Sequence, residues 1–289
     1  MSISRRHFLR TTAAAAIGGL SGVSLLSRCA EKFAAQPNII FFLIDDLGWT
    51  DVSYQGSRLY ETPYIDELAS RGMRFTQAYA ASAVCSPTRS SIMTGKYPAR
   101  LNQTDWIPGR GNSPENQFLQ VDDLNRLPLD EVTVAERLQE AGYTTCHIGK
   151  WHLGGEGHLP EDQGFDINIA GNRHGAPPDY FYPYKRGDYQ LDELAQTGEE
   201  GEYLTDRLGR EAVQFIRDHA GEPFFLCFSH YAVHTPRQAK KEHIEKYENK
   251  LESLPAPEGP GFIEEHDVRT KAVQDNPVYA GMVESTDNS

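Results

Sequence analysis

The stretch PNIIFFLIDD, residues 37–46, is a short apolar run that ends in two adjacent aspartates. Its length and its β-branched content predict a strand at 38–44 that is buried on both faces. Two more runs, YTTCHI at 143–148 and PFFLCFS at 223–229, predict buried strands of the same kind. Helical patterns lie between the three runs, and polar residues follow each run. The sequence therefore predicts an α/β fold with its functional site at the carboxyl ends of the strands.

Local signals place helices and a further strand between these runs. Thr62 and Pro63 predict the start of a helix that ends at Gly72, because threonine is a favoured N-cap and proline fits the first turn. Residues 73–80 predict a short strand, and TVAE at 133–136 is a capping box near the start of another helix. Further helices are predicted at 203–220 and 277–285, and long loops at 101–127 and 154–202.

The net charge and the cysteine spacing argue against a nucleic-acid partner and against a zinc or disulfide framework. The net charge of −13 disfavours non-specific binding to nucleic acid, and we expect no nucleic-acid partner. The spacing of Cys29, Cys85, Cys146 and Cys227 fits neither a zinc site nor a disulfide framework. Cys146 and Cys227 lie in predicted strands, so we expect two buried thiols, although export would permit a disulfide.

The first 35 residues have the pattern of a signal peptide and are set apart from the fold. SRRHFLR at 4–10 resembles a twin-arginine signal, and the apolar stretch at 13–26 is too short for a convincing membrane span. We therefore expect the twin-arginine export machinery as a partner and a periplasmic or secreted bacterial protein. The alternatives are an amphipathic anchor helix and a lipid anchor at Cys29, to which the preceding Arg28 is poorly suited.

The stretch AVCSPTRSSIMTG at 83–95 places a cysteine at the start of a predicted helix. Pro87 is favoured in the first turn and Gly95 just after the last one, so Cys85 lies at or just before the helix N-terminus. There the helix dipole stabilises an anion, and Arg89, four residues on, lies on the same face. The pattern suits the binding of a tetrahedral anion, and the alternative is a buried structural cysteine on a core helix.

Three blocks together resemble the type I sulfatases: PNIIFFLIDD at 37–46, CSPTR at 85–89 and GYTTCHIGKWH at 142–152. The resemblance implies an alkaline-phosphatase-like α/β sandwich, with a large mixed β-sheet between helical layers. It also implies that residues 36–289 form the N-terminal portion of a sulfatase catalytic domain. In that family a maturation enzyme converts a cysteine, here Cys85, into formylglycine, an aldehyde whose hydrate is the nucleophile.

Asp45 and Asp46 follow the first predicted strand and are candidate metal ligands. Adjacent carboxylates at a strand end reach one hard cation, although a turn or N-cap pair is the alternative. Oxygen ligands favour Ca²⁺ or Mg²⁺ over zinc. The resemblance implies Ca²⁺, with the formylglycine at Cys85 as a further ligand.

Lys150 and His152 follow the second predicted strand and are candidate catalytic residues, as are Cys85 and Arg89. In an extended backbone Lys150 and His152 share a face and point into the pocket, although a surface lysine and a capping histidine are the alternative. The resemblance implies that Lys150 holds the formylglycine and that His152 is a base acting on its hydrate. It also implies that Arg89 and Lys150 offset the charge of the sulfate.

His234 lies in the loop after the third predicted strand. It resembles the family's histidine that contacts the sulfate and protonates the leaving alcohol. His230 is the nearby competitor, and a loop histidine satisfied by the backbone is the alternative. The remaining histidines of the central part of the chain are expected to be structural or surface residues, and they are His147, His158 and His174.

The function that the resemblance implies is hydrolysis of a sulfate ester, either an aryl or a carbohydrate sulfate. The alternatives are an inactive remnant and a phosphatase or phosphonate hydrolase on the same scaffold. Family members run beyond residue 289, so we expect a truncated domain that lacks further metal and sulfate ligands. Asp287 and Asn288 are not interpreted as that missing pair, because they follow a predicted helix. The loops 101–127 and 154–202 are expected to shape the choice of substrate.

Overall fold

The computed structural model of the protein describes most of the chain from residue 36 onward. The signal peptide predicted at 1–35, with the candidate anchor residue Cys29, lies outside the described residues. Within the described residues, no helix is both long enough and apolar enough to cross a membrane. The described ranges are 36–114, 119, 121–257, 259–266 and 268–289.

The described chain contains one main sheet and two small strand pairs. The strands are β1 (Ile39–Leu43), β2 (Thr144–Gly149), β3 (Ile167–Ile169), β4 (Lys185–Arg186), β5 (Tyr189–Gln190), β6 (Phe224–Ser229), β7 (Phe262–Glu265) and β8 (Val268–Lys271). The main sheet has the order β1-β6-β2-β3, and its described strands are all parallel. β4 pairs with β5 and β7 pairs with β8, both in antiparallel fashion. β6 is central and buried along its whole length, which confirms the prediction from its apolar run.

Helices lie on both faces of the main sheet. They are α1 (Pro63–Arg71), α2 (Cys85–Thr94), α3 (Val134–Glu140), α4 (Asp192–Thr197), α5 (Leu204–Asp218), α6 (Lys241–Ser253) and α7 (Pro277–Asp287). On one face, Leu208 and Phe215 of α5 share a hydrophobic core with Met282 of α7. On the other face, Met93 of α2 and Ala135 of α3 belong to a second core. This layering confirms the predicted α/β sandwich.

Cys146 and Cys227 lie on neighbouring strands but face opposite sides of the sheet. Cys146 belongs to the core that includes Leu226, whereas Cys227 belongs to the core that includes Phe225. Both are free thiols. Burial raises the pKa of both, that of Cys227 to about 12. The expectation of two buried thiols is confirmed, and neither thiol ionises readily at neutral pH.

The predicted burial of β1 on both faces is wrong. Ile39 and Phe41 pack against a core, whereas the alternate side chains Ile40 and Phe42 are 50% and 42% exposed. In the described chain β1 is an edge strand of the main sheet. A strand is buried on both faces only where other helices or strands pack on both faces. The sequence of the strand itself does not show whether those elements are present.

The strand predicted at residues 73–80 does not form. The segment is exposed along its length, including its large side chains Met73, Phe75 and Tyr79. A strand needs a neighbour to satisfy its backbone N–H and C=O groups. No described strand pairs with this segment. A local apolar pattern therefore predicted an element that has no partner in the described chain.

The predicted loop at 154–202 carries regular structure, since β3, β4, β5 and α4 lie within it. These elements are between two and six residues long. Such lengths are too short for a hydrophobic period to be read with confidence from sequence. α6 and the β7–β8 pair are further elements beyond those predicted above.

The capping box at the start of α3 is confirmed and lies at the first turn. The Glu136 N–H donates to Thr133 Oγ1 at 3.1 Å, and the Thr133 N–H donates to Glu136 Oε2 at 2.6 Å. This reciprocal pair satisfies two of the N–H groups that a helix leaves unpaired at its start. The sequence signal and the structure therefore agree at the level of individual atoms.

α1 begins after Thr62 and ends before Gly72, as predicted, but another residue caps it. The N–H groups of Tyr64 and Ile65 donate to the carboxylate of Asp287, at 3.1 and 2.7 Å. A carboxylate is stabilised at a helix N-terminus by the unpaired N–H groups and the helix dipole. Asp287 therefore joins the end of α7 to the start of α1, in agreement with its exclusion as a metal ligand.

Gly149 ends β2 where the backbone approaches β6 closely. Its φ of 101° lies in the left-handed region, and a Cβ atom there would lie 1.9 Å from the Ser229 carbonyl oxygen. We expect Gly149→Ala to lower the free energy of unfolding by about 2–3 kcal/mol, because a backbone clash adds to the conformational cost.

The matched control is Gly142→Ala, at a φ of 86° with no atom within 4 Å of the added Cβ. Only the conformational cost remains there, so we expect a loss of about 1 kcal/mol. Chemical denaturation measures both losses. Equal losses at the two positions would contradict the role assigned to the Ser229 contact.

His147 is a core residue of β2, and its ring packs against the rings of Trp151 and Phe165. Burial lowers its pKa to about 3, and the charge of Arg89 adds to this effect. The unfolded chain takes up a proton near pH 6.5 while the folded chain stays neutral there. Stability is therefore complete above that pH and decreases as the pH falls toward 3.

A change from pH 8 to pH 5 is expected to cost about 2 kcal/mol through His147 alone. Urea denaturation across this range measures the slope of the unfolding free energy against pH. His147→Phe removes one titrating ring and is expected to reduce that slope, whatever it does to the stability at pH 8. Part of the slope remains, because burial also lowers the pKa of His152 to about 4 and that of His230 to about 3. An unchanged slope in the variant would assign the pH dependence to other groups.

Candidate active site

Backbone hydrogen bonds tie the loop after β1 to the loop after β6. The Asp45 N–H donates to the Ala232 carbonyl at 2.9 Å, and the Val233 N–H donates to the Asp45 carbonyl at 2.7 Å. These bonds place the two strand-end aspartates beside the loop that carries His234. The carboxyl ends of parallel strands meet at one edge of a sheet, which is where the sequence predicts the site.

Asp45, Arg89 and Lys150 form a buried charge cluster at these strand ends. Arg89 Nη2 donates to Asp45 Oδ1 at 3.2 Å, and Lys150 Nζ donates to Asp45 Oδ2. Arg89 Nη1 also reaches the Lys150 carbonyl and Ser229 Oγ, both at 2.6 Å. Burial opposes ionisation of Asp45, but the charges of Arg89 and Lys150 outweigh it and lower the pKa of the carboxyl. Arg89 thereby ties α2 to the ends of β2 and β6.

Lys150 and His152 do not both point into the pocket as predicted. β2 ends at Gly149, and His152 has a φ of 57°, so the backbone is not extended over these residues. Lys150 is fully buried against Asp45, whereas His152 lines the cavity. Trp151 packs into a core and does not line the cavity. Side chains point alternately to the two faces of a strand only while the backbone is extended, and β2 ends before Lys150.

The His152 ring is held with one nitrogen paired and the other without a partner. Nε2 lies 2.7 Å from the Ile107 carbonyl oxygen. A carbonyl only accepts, so Nε2 carries the proton and Nδ1 keeps its lone pair. Nδ1 has no hydrogen-bond partner among the described residues. Burial, and then the charge of Lys150, lower the pKa of His152 to about 4, so the ring is neutral at pH 7.

Gly175 packs directly against this ring. A Cβ atom at Gly175 would lie 2.3 Å from His152 Cε1, which is closer than van der Waals contact allows. The chain also fixes the carbonyl that pairs with the ring, because the Ile107 N–H donates to the buried Ser86 Oγ at 3.1 Å. Ser86 follows Cys85 on α2, so one short hydrogen-bonded path connects the cysteine segment to His152.

An open cavity of about 1190 Å³ lies over the strand ends. Cys85, Asp46, His152 and His234 all line it. Cys85 is half-buried at the first position of α2, which confirms its predicted place at a helix N-terminus. The structure thus gathers four sequence-predicted residues around one cavity, whereas Asp45, Arg89 and Lys150 lie buried outside its lining.

His234, rather than His230, is the cavity histidine of the loop after β6. His234 Nδ1 lies 2.8 Å from the Thr235 carbonyl oxygen, and Nε2 lies 3.7 Å from Asp46 Oδ2. His230 is fully buried, and its Nε2 lies 3.0 Å from Ser289 Oγ. The carbonyl fixes the proton of His234 on Nδ1, which leaves Nε2 on the side of Asp46.

The residues present do not complete a calcium site. Ca²⁺ takes about six to eight oxygen ligands. Both oxygens of Asp45 are engaged by Arg89 and Lys150, and Asp46 is the one strand-end carboxylate that lines the cavity. No group of three or more His, Cys, Asp or Glu residues in the described ranges is placed to hold a metal. Metal binding by Asp45, Asp46 and Cys85 stays a prediction.

The cavity also contains basic residues that the sequence analysis did not assign to the site. They share one origin, the two loops expected to shape substrate choice, and they are Arg110, Arg126, Arg173, Arg186, His158 and His174. Their separation along the chain leaves no local motif that could have revealed them. The chain is acidic overall, yet this cavity is locally basic.

Comparison with known proteins assigns the chain to a family. The family model described as Sulfatase matches residues 37–289. The chain belongs to the sulfatase family. Among its relatives, N-acetylgalactosamine-6-sulfatase of Rattus norvegicus is 33% identical over 248 residues, which cover 78% of this chain and 44% of the relative. N-acetylgalactosamine-6-O-sulfatase of Bacteroides thetaiotaomicron is 31% identical over 291 residues, covering 75% of this chain and 53% of the relative.

Solved structures support the same assignment. The crystal structure of Ps i-CgsB in complex with k-i-k-neocarrahexaose is 32% identical, with a TM-score of 0.61, and the match covers 88% of this chain and 53% of that chain. The structure of BT4656 with its substrate D-glucosamine-2-N,6-O-disulfate is 29% identical, with a TM-score of 0.58, and covers 77% and 39%. These likenesses confirm the alkaline-phosphatase-like fold of this sulfatase chain. The chain spans about half the length of the relatives it matches, or less.

Proposed function

We propose that the protein hydrolyses sulfate esters and that its nucleophile derives from Cys85. The observation that carries this proposal is the shared cavity of Cys85, His152 and His234 over a buried cationic pair. The family assignment and the intact CSPTR sequence at 85–89 support it. The names of the relatives are divided between arylsulfatases and carbohydrate sulfatases. The saccharides bound in two similar solved structures support a sulfated carbohydrate as the proposed natural substrate.

The proposed modification of Cys85 fits its surroundings. The residue is half-buried and lines an open cavity. It lies at a helix N-terminus, which favours a developing oxyanion. Formylglycine at this position would supply a hydroxyl nucleophile that a thiol does not. The formylglycine-generating enzyme is therefore a proposed partner of this chain.

His152 and His234 are proposed to move the protons of the reaction. His152 is neutral, and its buried Nδ1 has no hydrogen-bond partner among the described residues. We propose that this nitrogen takes a proton from a hydroxyl at position 85. His234 is proposed to give a proton to the oxygen of the leaving alcohol, and its Nε2 lies 3.7 Å from Asp46 Oδ2. The net reaction consumes water and releases the alcohol and sulfate.

Arg89 and Lys150 are proposed to act from beneath the cavity. Their positive charges lie in a buried setting, where electrostatic effects on a neighbouring anion are stronger than in water. Calcium remains a proposed cofactor for which the described residues supply only Asp45 and Asp46 as carboxylate ligands, with Mg²⁺ as the alternative ion.

Export through the twin-arginine machinery, to the periplasm or the outside of a bacterial cell, is proposed from the sequence at 4–10. A folded protein is the normal cargo of that route, which suits a residue that is modified before export. Lipid attachment at Cys29 is the less favoured alternative.

The experiment that tests the function compares two esters of the same alcohol. The full-length protein from its native host is assayed with para-nitrophenyl sulfate and para-nitrophenyl phosphate, with and without added Ca²⁺. We expect kcat/KM to be higher for the sulfate. A higher value for the phosphate would identify a phosphatase on this scaffold, and no turnover of either ester would identify an inactive member of the family.

A further inference from the structure

Four arginines line the cavity without a described carboxylate partner. Arg110, Arg126, Arg173 and Arg186 are all exposed, and none of them forms an ion pair among the described residues. Among the other described arginines, some pair with a carboxylate, as Arg207 does, and others, such as Arg217, do not. The four cavity arginines differ from both groups because they converge on one cavity. Like charges that converge on one cavity give it a positive potential, which attracts anions.

The reacting sulfate alone does not account for these charges. In the proposed function, the positive charges of Arg89 and Lys150 already serve the single sulfate ester that reacts at position 85. The cavity lining contains two carboxylates, Asp46 and Glu156, against the four arginines. A guanidinium binds sulfate and carboxylate groups through paired N–H donors, so each arginine offers a place for a further anionic group.

The same cavity offers flat aromatic surfaces. Trp106 and Tyr189 line it, and the ring of His174 stacks on Tyr189 with centroids 3.8 Å apart and planes 24° apart. Rigid aromatic side chains provide contact area for the apolar faces of a ligand at a low cost in conformational entropy. The combination of flat rings and guanidinium groups suits a chain of sugar rings that carry charges.

We propose that this cavity takes a polyanionic saccharide and that Arg110, Arg126, Arg173 and Arg186 hold its anionic groups other than the reacting sulfate. The proposal rests on the proposed function of the same cavity. It narrows the substrate class from sulfate esters in general to saccharides with at least two anionic groups.

Binding to the full-length Cys85→Ala protein, which cannot turn over a substrate, tests the proposal by calorimetry. The probes are N-acetylgalactosamine sulfate, a monosulfated chondroitin disaccharide and a disulfated chondroitin disaccharide. We expect the Kd to fall by about tenfold for each added anionic group that an arginine holds, as for a charge-assisted hydrogen bond. Tighter binding of the monosulfated disaccharide than of the monosaccharide would assign a site to the carboxylate, and a further gain with the disulfated one would assign a site to sulfate.

Arginine variants identify the residues that hold these groups. Arg110→Gln, Arg126→Gln, Arg173→Gln and Arg186→Gln are each made in the Cys85→Ala protein. We expect at least one of them to raise the Kd of the disulfated disaccharide by about tenfold and to raise that of the monosaccharide by much less. The matched control is Arg217→Gln, at an exposed arginine of α5 that does not line the cavity. Melting temperatures of all variants show whether they remain folded.

Equal Kd values for the three probes would overturn the proposal, as would arginine variants that behave like Arg217→Gln. Either result is compatible with hydrolysis of para-nitrophenyl sulfate by the protein without substitutions, so neither contradicts the proposed function. Conversely, graded binding of the polyanions with no hydrolysis of any sulfate ester would support the ligand class and overturn the proposed reaction.

Discussion

Cys85→Ala is expected to lower kcat/KM for a sulfate ester by at least about 10⁴-fold, the size of loss seen when an enzyme's nucleophile is removed. Alanine has no sulfur and cannot be converted into formylglycine. The fold is expected to persist, because Cys85 is half-buried at a helix start and makes no described side-chain hydrogen bond. Steady-state kinetics with para-nitrophenyl sulfate measure the loss. Mass spectrometry of the protein without substitutions checks for an aldehyde at position 85.

Cys146→Ala is the matched control for this prediction. Cys146 is buried in the core of the sheet and does not line the cavity. It is expected to cost some stability through lost packing and to leave the aldehyde at position 85 in place. If Cys85→Ala stays active, with the same pH dependence as the protein without substitutions, the assignment of the nucleophile is contradicted.

The sequence predicts those parts of the fold that local patterns determine. β6 is buried along its whole length and β2 from Thr145 to Gly149, as their apolar pattern indicates. α2 begins at Cys85 and ends before Gly95, as its proline and glycine indicate. Residues 73–80 show where such patterns fail, because pairing depends on a neighbouring strand that a local window does not contain. The half-exposed face of β1 has the same cause, since cover comes from elements distant in sequence.

Some residues of the candidate site could be predicted from local sequence patterns, and others could not. His152 and His234 could be placed at the cavity because each follows a strand that the sequence predicts. Cys85 could be placed because it lies at the start of a predicted helix. The buried pair of Lys150 with Asp45 could not be predicted, since it depends on the left-handed backbone at Gly149, where β2 ends. The cavity arginines belong to two long loops, whose folding is set by contacts far apart in sequence.

Asp45→Asn is expected to lower the free energy of unfolding by about 3–5 kcal/mol, the usual cost of leaving a buried charge without its partner. Asparagine has nearly the same shape but no charge, so the buried cations Arg89 and Lys150 would lose the carboxylate that lies between them. Urea denaturation in the presence of a chelator measures this loss without any contribution from a bound metal.

Asp46→Asn is the matched control, since Asp46 is adjacent in sequence but its side chain is 60% exposed. It is expected to change the stability by no more than about 0.5 kcal/mol. A second comparison uses Lys150→Met. If the Asp45–Lys150 contact carries the effect, this change costs less stability in the Asp45→Asn protein than in the unmodified one, because the ion pair is already broken. If the two losses of stability are additive, Arg89 alone stabilises the Asp45 carboxylate. Lys150 would then act only in the proposed reaction, through its charge.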